Sequence, residues 1–246
     1  MERLVRQPSN VILERGSNVT LIAPVLITGV SPKSLGESIA LSVALQKPAL
    51  LILASRTRSK IDAVAAKIKD AMPDVLLKAV LVDLSSQESV RQAAEEVNSL
   101  TNKIDVLINN AGITVPEHRF TKEGIELQFG TNHIGPFLLT NLLMDKIRKA
   151  AKESTRGATR IVNVSSAGHN ISPIRFSDYN FQGKELPLEE KPPPGLPGII
   201  FKPGPVYGGF LSYGQSKTAN ILMSVYLTHH LRRQGILSYS VHPGCQ

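Results

Sequence analysis

The chain has 246 residues, 42% of them hydrophobic and 20% charged, enough to bury the core of one large domain. Its formal net charge is +8, yet no zinc-ligand spacing, aromatic-rich strand motif or dense basic run accompanies it. Nucleic-acid binding is therefore set aside, and the basic residues read as scattered over a surface, some of them serving an anionic ligand.

No apolar run reaches the roughly 18 to 20 residues that span a bilayer. Met1–Asn18 is polar and lacks the apolar centre of a signal peptide. The single cysteine, Cys245, allows no internal disulfide and fits a reducing, cytoplasmic setting. No metal site is expected.

The first strand candidate is Pro24–Thr28. It runs into Gly29, and Gly36 follows as a helix begins over 35–46. A glycine turn between strand and helix lets backbone N–H groups and the positive helix end meet a pyrophosphate, although an ordinary turn would look the same. The second strand, Leu50–Ala54, ends in Ser55-Arg56-Thr57-Arg58-Ser59-Lys60 before a helix over 59–71. Dinucleotide folds that select NAD favour an acidic residue at this strand end, to bind the ribose 2′-hydroxyl. Here Arg56 takes the place, and a guanidinium can fork onto a 2′-phosphate. NADP is therefore expected rather than NAD. Arg58 and Lys60 read as a solvated helix start.

The third strand, Leu77–Val82, closes on Asp83-Leu84, where Asp83 also suits the cap of a helix over 86–101. The fourth, Ile104–Asn109, leads into Asn110-Ala111-Gly112, and a long helical pattern covers 124–151. Arg160–Val164 is a fifth strand, ended by Ser165-Ser166. Prolines at 173, 187, 192, 193, 194, 197, 203 and 205 exclude long helix and central strand from 170–211, a segment expected to border the active site. A helix over 212–234 and the strand Ile236–Val241 follow.

Nearly continuous apolar strands alternating with helices predict an α/β fold, a doubly wound parallel sheet with helices on both faces. One domain is expected over the whole chain. The helices near 124–151 and 212–234 suit a homodimer interface and equally suit covering the sheet.

Tyr213 and Lys217 stand four residues apart inside the last helix, hence one turn apart on one face. A phenol is a poor acid at neutral pH, and an ammonium beside it favours the phenolate. The pair is thus a candidate acid/base unit, though the spacing alone is common.

Thr28-Gly29 with Gly36, then Asn109-Asn110-Ala111-Gly112, then Ser166, then Tyr213-x-x-x-Lys217 fall in one order along the chain. In this the sequence resembles the short-chain dehydrogenase/reductase family. Asn132-His133, Ser165–His169 and Ser216–Asn220 look closest to its retinol-dehydrogenase-like branch.

The resemblance implies a Rossmann-like domain that transfers a hydride between NADP and a carbonyl or alcohol substrate. It implies cofactor contacts at Thr28, Gly29, Ser34, Leu35, Gly36, Arg56, Asp83, Leu84, Asn109, Ala111, Gly112, Tyr213, Lys217, Pro243 and Gly244. It also implies catalytic roles for Asn132, Ser166, Tyr213 and Lys217, with Asn132 holding a relay water and Ser166 rather than Ser165 bonding the reacting oxygen. His133 reads as a packing or surface residue.

Two departures stand out. Ser34 replaces the middle glycine of the family's first turn, in a spacer one residue longer, so the loop either takes another path or offers the Ser34 hydroxyl to a phosphate. The chain also ends at Pro243-Gly244-Cys245-Gln246, before the family's last strand. That shortening leaves a second reading open, a non-catalytic NADP-binding or interaction protein with a dehydrogenase-like body.

Overall fold

In the computed structural model, residues 23–196 and 207–244 are described. Six parallel strands form one sheet: β1 (Pro24–Thr28), β2 (Leu50–Ser55), β3 (Leu77–Leu81), β4 (Val106–Asn109), β5 (Thr159–Val164) and β6 (Ile236–Val241). Their order is β3-β2-β1-β4-β5-β6. All five ladders are parallel. The order reverses between β1 and β4, so a crevice opens at the carboxyl ends of those strands, where ligands bind in doubly wound sheets.

The apolar strands are continuous because both faces are covered. On β1 and β2, Leu26, Leu50 and Ile52 join one core, while Val25, Ile27, Leu51 and Leu53 join the other. Helices α1 (Leu35–Ala44) and α2 (Arg58–Ala71) close the second core through Ala40, Val43, Ile61, Val64 and Ile68. The first core is closed by α3 (Gln87–Leu100) with Val90 and Val97, and by elements from the second half of the chain.

The long helix expected over 124–151 is broken. It consists of α4 (Leu127–Phe129), a π-helical turn over Gly130–Ile134, α5 (Gly135–Leu142) and α6 (Met144–Glu153). Pro136 is the cause in the sequence: it lacks the N–H that would bond the Asn132 carbonyl in an α pattern. The Gly135 N–H instead reaches back to the Gly130 carbonyl, the wider π register. Gly135 also lets the helix lie against the turn after β3, since a Cβ there would stand 2.2 Å from the Leu84 carbonyl oxygen.

The last helix, α7 (Gly209–Leu231), begins three residues before its expected start. Leu222, Val225 and Tyr226 on α7, with Phe137 on α5, face solvent.

The proline-rich segment has no long helix or strand among its described residues, as its prolines dictate. It is nonetheless tied down. The buried Asp178 carboxylate accepts the N–H groups of Gln182, Gly183 and Lys184 and pairs with Arg175 at 3.0 Å. Gln215 on α7 accepts from the Arg175 N–H and donates to the Tyr179 carbonyl. Its prolines at 197, 203 and 205 lie outside the described residues. Among the described residues, no helix is long and apolar enough to cross a membrane.

Candidate active site

The turn after β1 takes the alternative path that Ser34 demanded. Positive φ falls on Gly29, at 76°, and on Lys33, at 58°, whereas Ser34 is extended at −119°. The Ser34 hydroxyl donates to the Ser31 carbonyl at 2.7 Å and accepts the Glu37 N–H at 3.3 Å, capping α1. Of the two alternatives the loop takes the other path, and the hydroxyl's hydrogen is given to Ser31.

Glu37 accepts the Lys33 N–H and pairs with Lys67, whose hydrogen bond holds the carboxyl below its ordinary range. Gly36 is required by close approach: a Cβ there would stand 2.3 Å from the Gly29 carbonyl oxygen. At Gly29 a Cβ would stand 2.6 Å from the Ala111 Cα.

Thr28 and Asn109, expected at the cofactor, instead hold the wall behind it. The Thr28 hydroxyl accepts the N–H groups of Asn110 and Ala111, fastening the end of β1 to the end of β4. Asn109 donates to Thr140 at 3.1 Å and to Asn163 at 2.9 Å, joining β4 to α5 and β5. Both side chains are buried and neither lines the cavity.

A cavity of about 450 Å³ runs along the carboxyl ends of the strands. At the β2 end it is lined by Arg56 and also by Lys60, which the sequence had placed on a solvated helix start. Lys60 is exposed in the first turn of α2, as expected of a solvated helix start, and borders the crevice besides. Arg58 does point away and pairs with Asp62 at 2.9 Å on the surface.

Of the pair after β3, Leu84 lines the cavity and Asp83 does not. Asp83 Oδ1 accepts both the N–H and the hydroxyl of Ser85, a local turn that satisfies that oxygen. Gly29, Ser34, Leu35, Gly36, Ala111, Gly112, Pro243 and Gly244 line the wall as expected. Ser31, Asn110, Thr131 and His242 line it as well. Thr131 carried no signal beyond lying next to Asn132.

At the β5 end the cavity is lined by Ser166, Tyr213 and Lys217. The two serines differ in what they can still do. The Ser165 hydroxyl is buried and donates to the Lys217 carbonyl at 2.9 Å, so its hydrogen is spent. The Ser166 hydroxyl accepts the Gly168 N–H at 3.1 Å, and its own hydrogen has no acceptor among the described residues. Gly168 lets the tyrosine ring lie beside this serine: a Cβ there would stand 3.0 Å from Tyr213 Cε1 and 3.6 Å from Ser166 Oγ.

The Lys217 amine is buried, donates to the Val164 carbonyl at 3.0 Å and lies 5.4 Å from the Tyr213 ring centroid. Burial pushes its pKa down to about 8.

Asn132 sits in the π turn, wholly buried and outside the cavity lining. Its Oδ1 accepts the Ile113 N–H at 2.7 Å, and its Nδ2 donates to the Ile113 carbonyl and the Ser216 hydroxyl. Both amide hydrogens are used, so the Asn132 side chain clamps the loop after β4 to α7. His133 packs between Phe129 and Phe137, and burial lowers its pKa.

No described residue of 170–211 lines this cavity. Its described residues wall a separate hollow with Ile221 and Leu222 of α7. Among the described residues no cluster of side chains could hold a metal ion.

The profile of the short chain dehydrogenase family matches residues 23–180. The oxidoreductase fscI of Fusarium equiseti is 34% identical over 222 residues, covering 89% of this chain and 85% of that protein. Human retinol dehydrogenase 13 is 33% identical over 220 residues, and the match covers 89% of this chain and 58% of that protein. An uncharacterised protein of Mycobacterium paratuberculosis, solved by crystallography, shares the fold with a TM-score of 0.67 and 31% identity over 90% of this chain and 68% of that one. The chain thus spans under two thirds of the retinol dehydrogenase it matches.

Proposed function

This chain belongs to the short-chain dehydrogenase family of oxidoreductases, and from that premise we propose that it moves a hydride between NADP and a carbonyl or alcohol carbon, with Tyr213 passing the accompanying proton. The observation that carries the reading is the single cavity with Arg56 and Lys60 at the end of β2 and Ser166, Tyr213 and Lys217 near the end of β5. Those strands are three places apart in the sheet, which spans roughly 14 Å at strand spacing.

The residues present suit a dinucleotide. Arg56 and Lys60 have no carboxylate partner among the described residues, which leaves both free for phosphate. Thr131 offers a buried hydroxyl without a partner on the cavity wall. Gly112 keeps the lysine approachable, since a Cβ there would stand 3.3 Å from Lys217 Nζ. The Arg56 guanidinium favours a ribose 2′-phosphate over a bare hydroxyl, hence NADP.

The nicotinamide supplies or takes the hydride. In reduction, negative charge grows on the substrate oxygen. Ser166 donates its unused hydrogen to that oxygen, and Tyr213 gives up its proton. Lys217 stabilises the charge then left on Tyr213. Its ammonium is held by Val164 and surrounded by protein rather than water, so the attraction is screened less than in solution. Asn132 holds the backbone of Ile113, which lines the same cavity. Oxidation runs through the same groups in reverse. The substrate is read as a small or lipophilic carbonyl compound.

The test is NADPH consumption across a panel of ketones and aldehydes, together with thermal stabilisation by NADPH. Turnover lost in Tyr213→Phe with NADPH binding retained supports the reading. Stabilisation by NADPH with no turnover anywhere in the panel would leave only the cofactor-binding protein.

A further inference from the structure

Two buried amides on successive turns grip the same strip of chain. Asn132 holds Ile113 to Ser216 of α7. Gln128, four residues earlier and also wholly buried, does the equivalent: its Oε1 accepts the Val115 N–H at 3.2 Å, and its Nε2 donates to the Gly209 carbonyl at 2.8 Å. The second Nε2 hydrogen goes to the Tyr207 hydroxyl at 2.8 Å, and that hydroxyl donates to Glu126 Oε1 at 2.7 Å.

The sense of this chain of bonds is determined. A flipped Gln128 amide would set N–H against the Val115 N–H and oxygen against the Gly209 carbonyl. Glu126 only accepts: it takes the N–H groups of Gln128 and Phe129 besides the phenol, with no cation paired to it among the described residues. Burial raises the Tyr207 pKa far above its ordinary value, so that phenol remains a donor throughout the working pH range.

The two ends that Gln128 joins are both close to the reaction. Val115 directly follows Ile113 and Thr114, which line the cavity beside Gly112. Gly209 opens α7, one turn before Tyr213. The segments touch at that point, since a Cβ on Gly209 would stand 2.8 Å from the Val115 carbonyl oxygen. Residue 209 thus has room for neither a side chain nor a shift toward the loop.

We propose that Gln128, oriented by Tyr207 and Glu126, is a positioning residue that sets the spacing between the loop 113–115, which lines the cavity at Ile113 and Thr114, and the Tyr213 hydroxyl. It deepens the dehydrogenase reading above and rests on it. Gln128 and Asn132 then act as two rungs of one ladder, fixing α7 to the loop after β4 at Gly209 and at Ser216. A catalytic group displaced by about 1 Å can lose on the order of 10²-fold in rate while its chemistry is untouched.

The experiment compares Gln128→Leu, Tyr207→Phe and the double variant in the full chain. It measures kcat and KM for a carbonyl substrate, the Kd of NADPH, and hydrogen exchange of residues 113–116 and 207–213. Gln128→Leu is expected to lower kcat about 10- to 100-fold with NADPH Kd within about twofold, and Tyr207→Phe to lower it less. The double variant is expected to be no slower than Gln128→Leu, because Tyr207 works through Gln128. Should Gln128→Leu not fold, the same split between kcat and Kd in Tyr207→Phe decides.

A lower melting temperature with unchanged kcat overturns the proposal, as do independent, multiplicative losses in the double variant. If the unmodified protein turns over nothing with NADPH, the dehydrogenase reading fails by itself. Exchange then decides the spacing claim: faster exchange in both segments together supports it, and in one alone overturns it.

Discussion

The two ends of the cavity are built on opposite principles. At the β2 end the cationic side chains Arg56 and Lys60 are exposed, and the shape comes from backbone, from glycines at 29 and 36 that let chain approach chain. At the β5 end Ser165 and the Lys217 amine are buried, Ser166 and Tyr213 are half-buried, and directed hydrogen bonds hold Ser165 and Lys217 in place, leaving the Ser166 and Tyr213 hydroxyls and part of the Lys217 amine for a ligand. Exposed, screened charge suits binding that tolerates small movements. Buried, directed hydrogen bonds suit a reaction in which a fraction of an ångström matters. Binding and rate should therefore separate under mutation.

The largest effect is expected at the reactive end. Tyr213→Phe removes the proton donor and should lower kcat by about 10²- to 10⁴-fold, with NADPH affinity nearly unchanged. Steady-state rates and a fluorescence titration check this, and loss of NADPH affinity in that variant would break the comparison.

Gly36→Ala is the reciprocal test. Its Cβ has no room against the Gly29 carbonyl, so the turn must open. NADPH binding should weaken at least about tenfold, and the melting temperature should fall as folding stability drops by roughly the 1–3 kcal/mol typical of overpacking.

Next comes pH. Lys217, held near 8 by burial, loses its proton early. The kcat/KM for carbonyl reduction should therefore fall as pH rises through about 8. The stability consequence has the opposite sign. Between about 8 and the ordinary lysine value of 10.5, the unfolded chain binds the proton that the folded chain has lost. This group's contribution to stability thus rises with pH across that window, and below it the cost of burying the ammonium is felt in full. Lys217→Met should remove both trends in rate and melting profiles.

Smaller still are the cations of the binding end. Lys60→Ala should raise the NADPH Kd several-fold, about the 1.5–3 kcal/mol ceiling of a hydrogen bond to a charged group less solvent screening. It should leave NADH unaffected, and the NADPH effect should shrink in high salt. Arg58→Ala, which breaks only the exposed pair with Asp62, should change stability by less than about 1 kcal/mol and NADPH binding not at all.

Much of this architecture is legible locally. The strands appear at or within two residues of their sequence positions because burial on both faces leaves continuous apolar runs. Tyr213 and Lys217 declare themselves because a helix repeats every turn. The single helix expected over 124–151 failed at Pro136, whose effect falls on the carbonyl four residues earlier and is easily lost in an apolar pattern. The described part of the proline-rich segment lies beside α7 rather than in the cavity wall, and adjacency in sequence to two catalytic elements does not say which side of α7 a loop runs along.

The sequence by itself determined what depends on neighbours along the chain: the alternation of strands and helices, the glycine turn, the Asn-Asn-Ala-Gly run and the tyrosine–lysine spacing. Only the tertiary structure decided which of two adjacent serines keeps its hydrogen, that Lys60 joins Arg56, that Lys33 rather than Ser34 carries the left-handed turn, and that Gln128 bridges Val115 to Gly209. Each of those depends on a partner or a path through space that repetition along the chain does not encode. A buried polar group is settled by whatever donor or acceptor the fold brings to it.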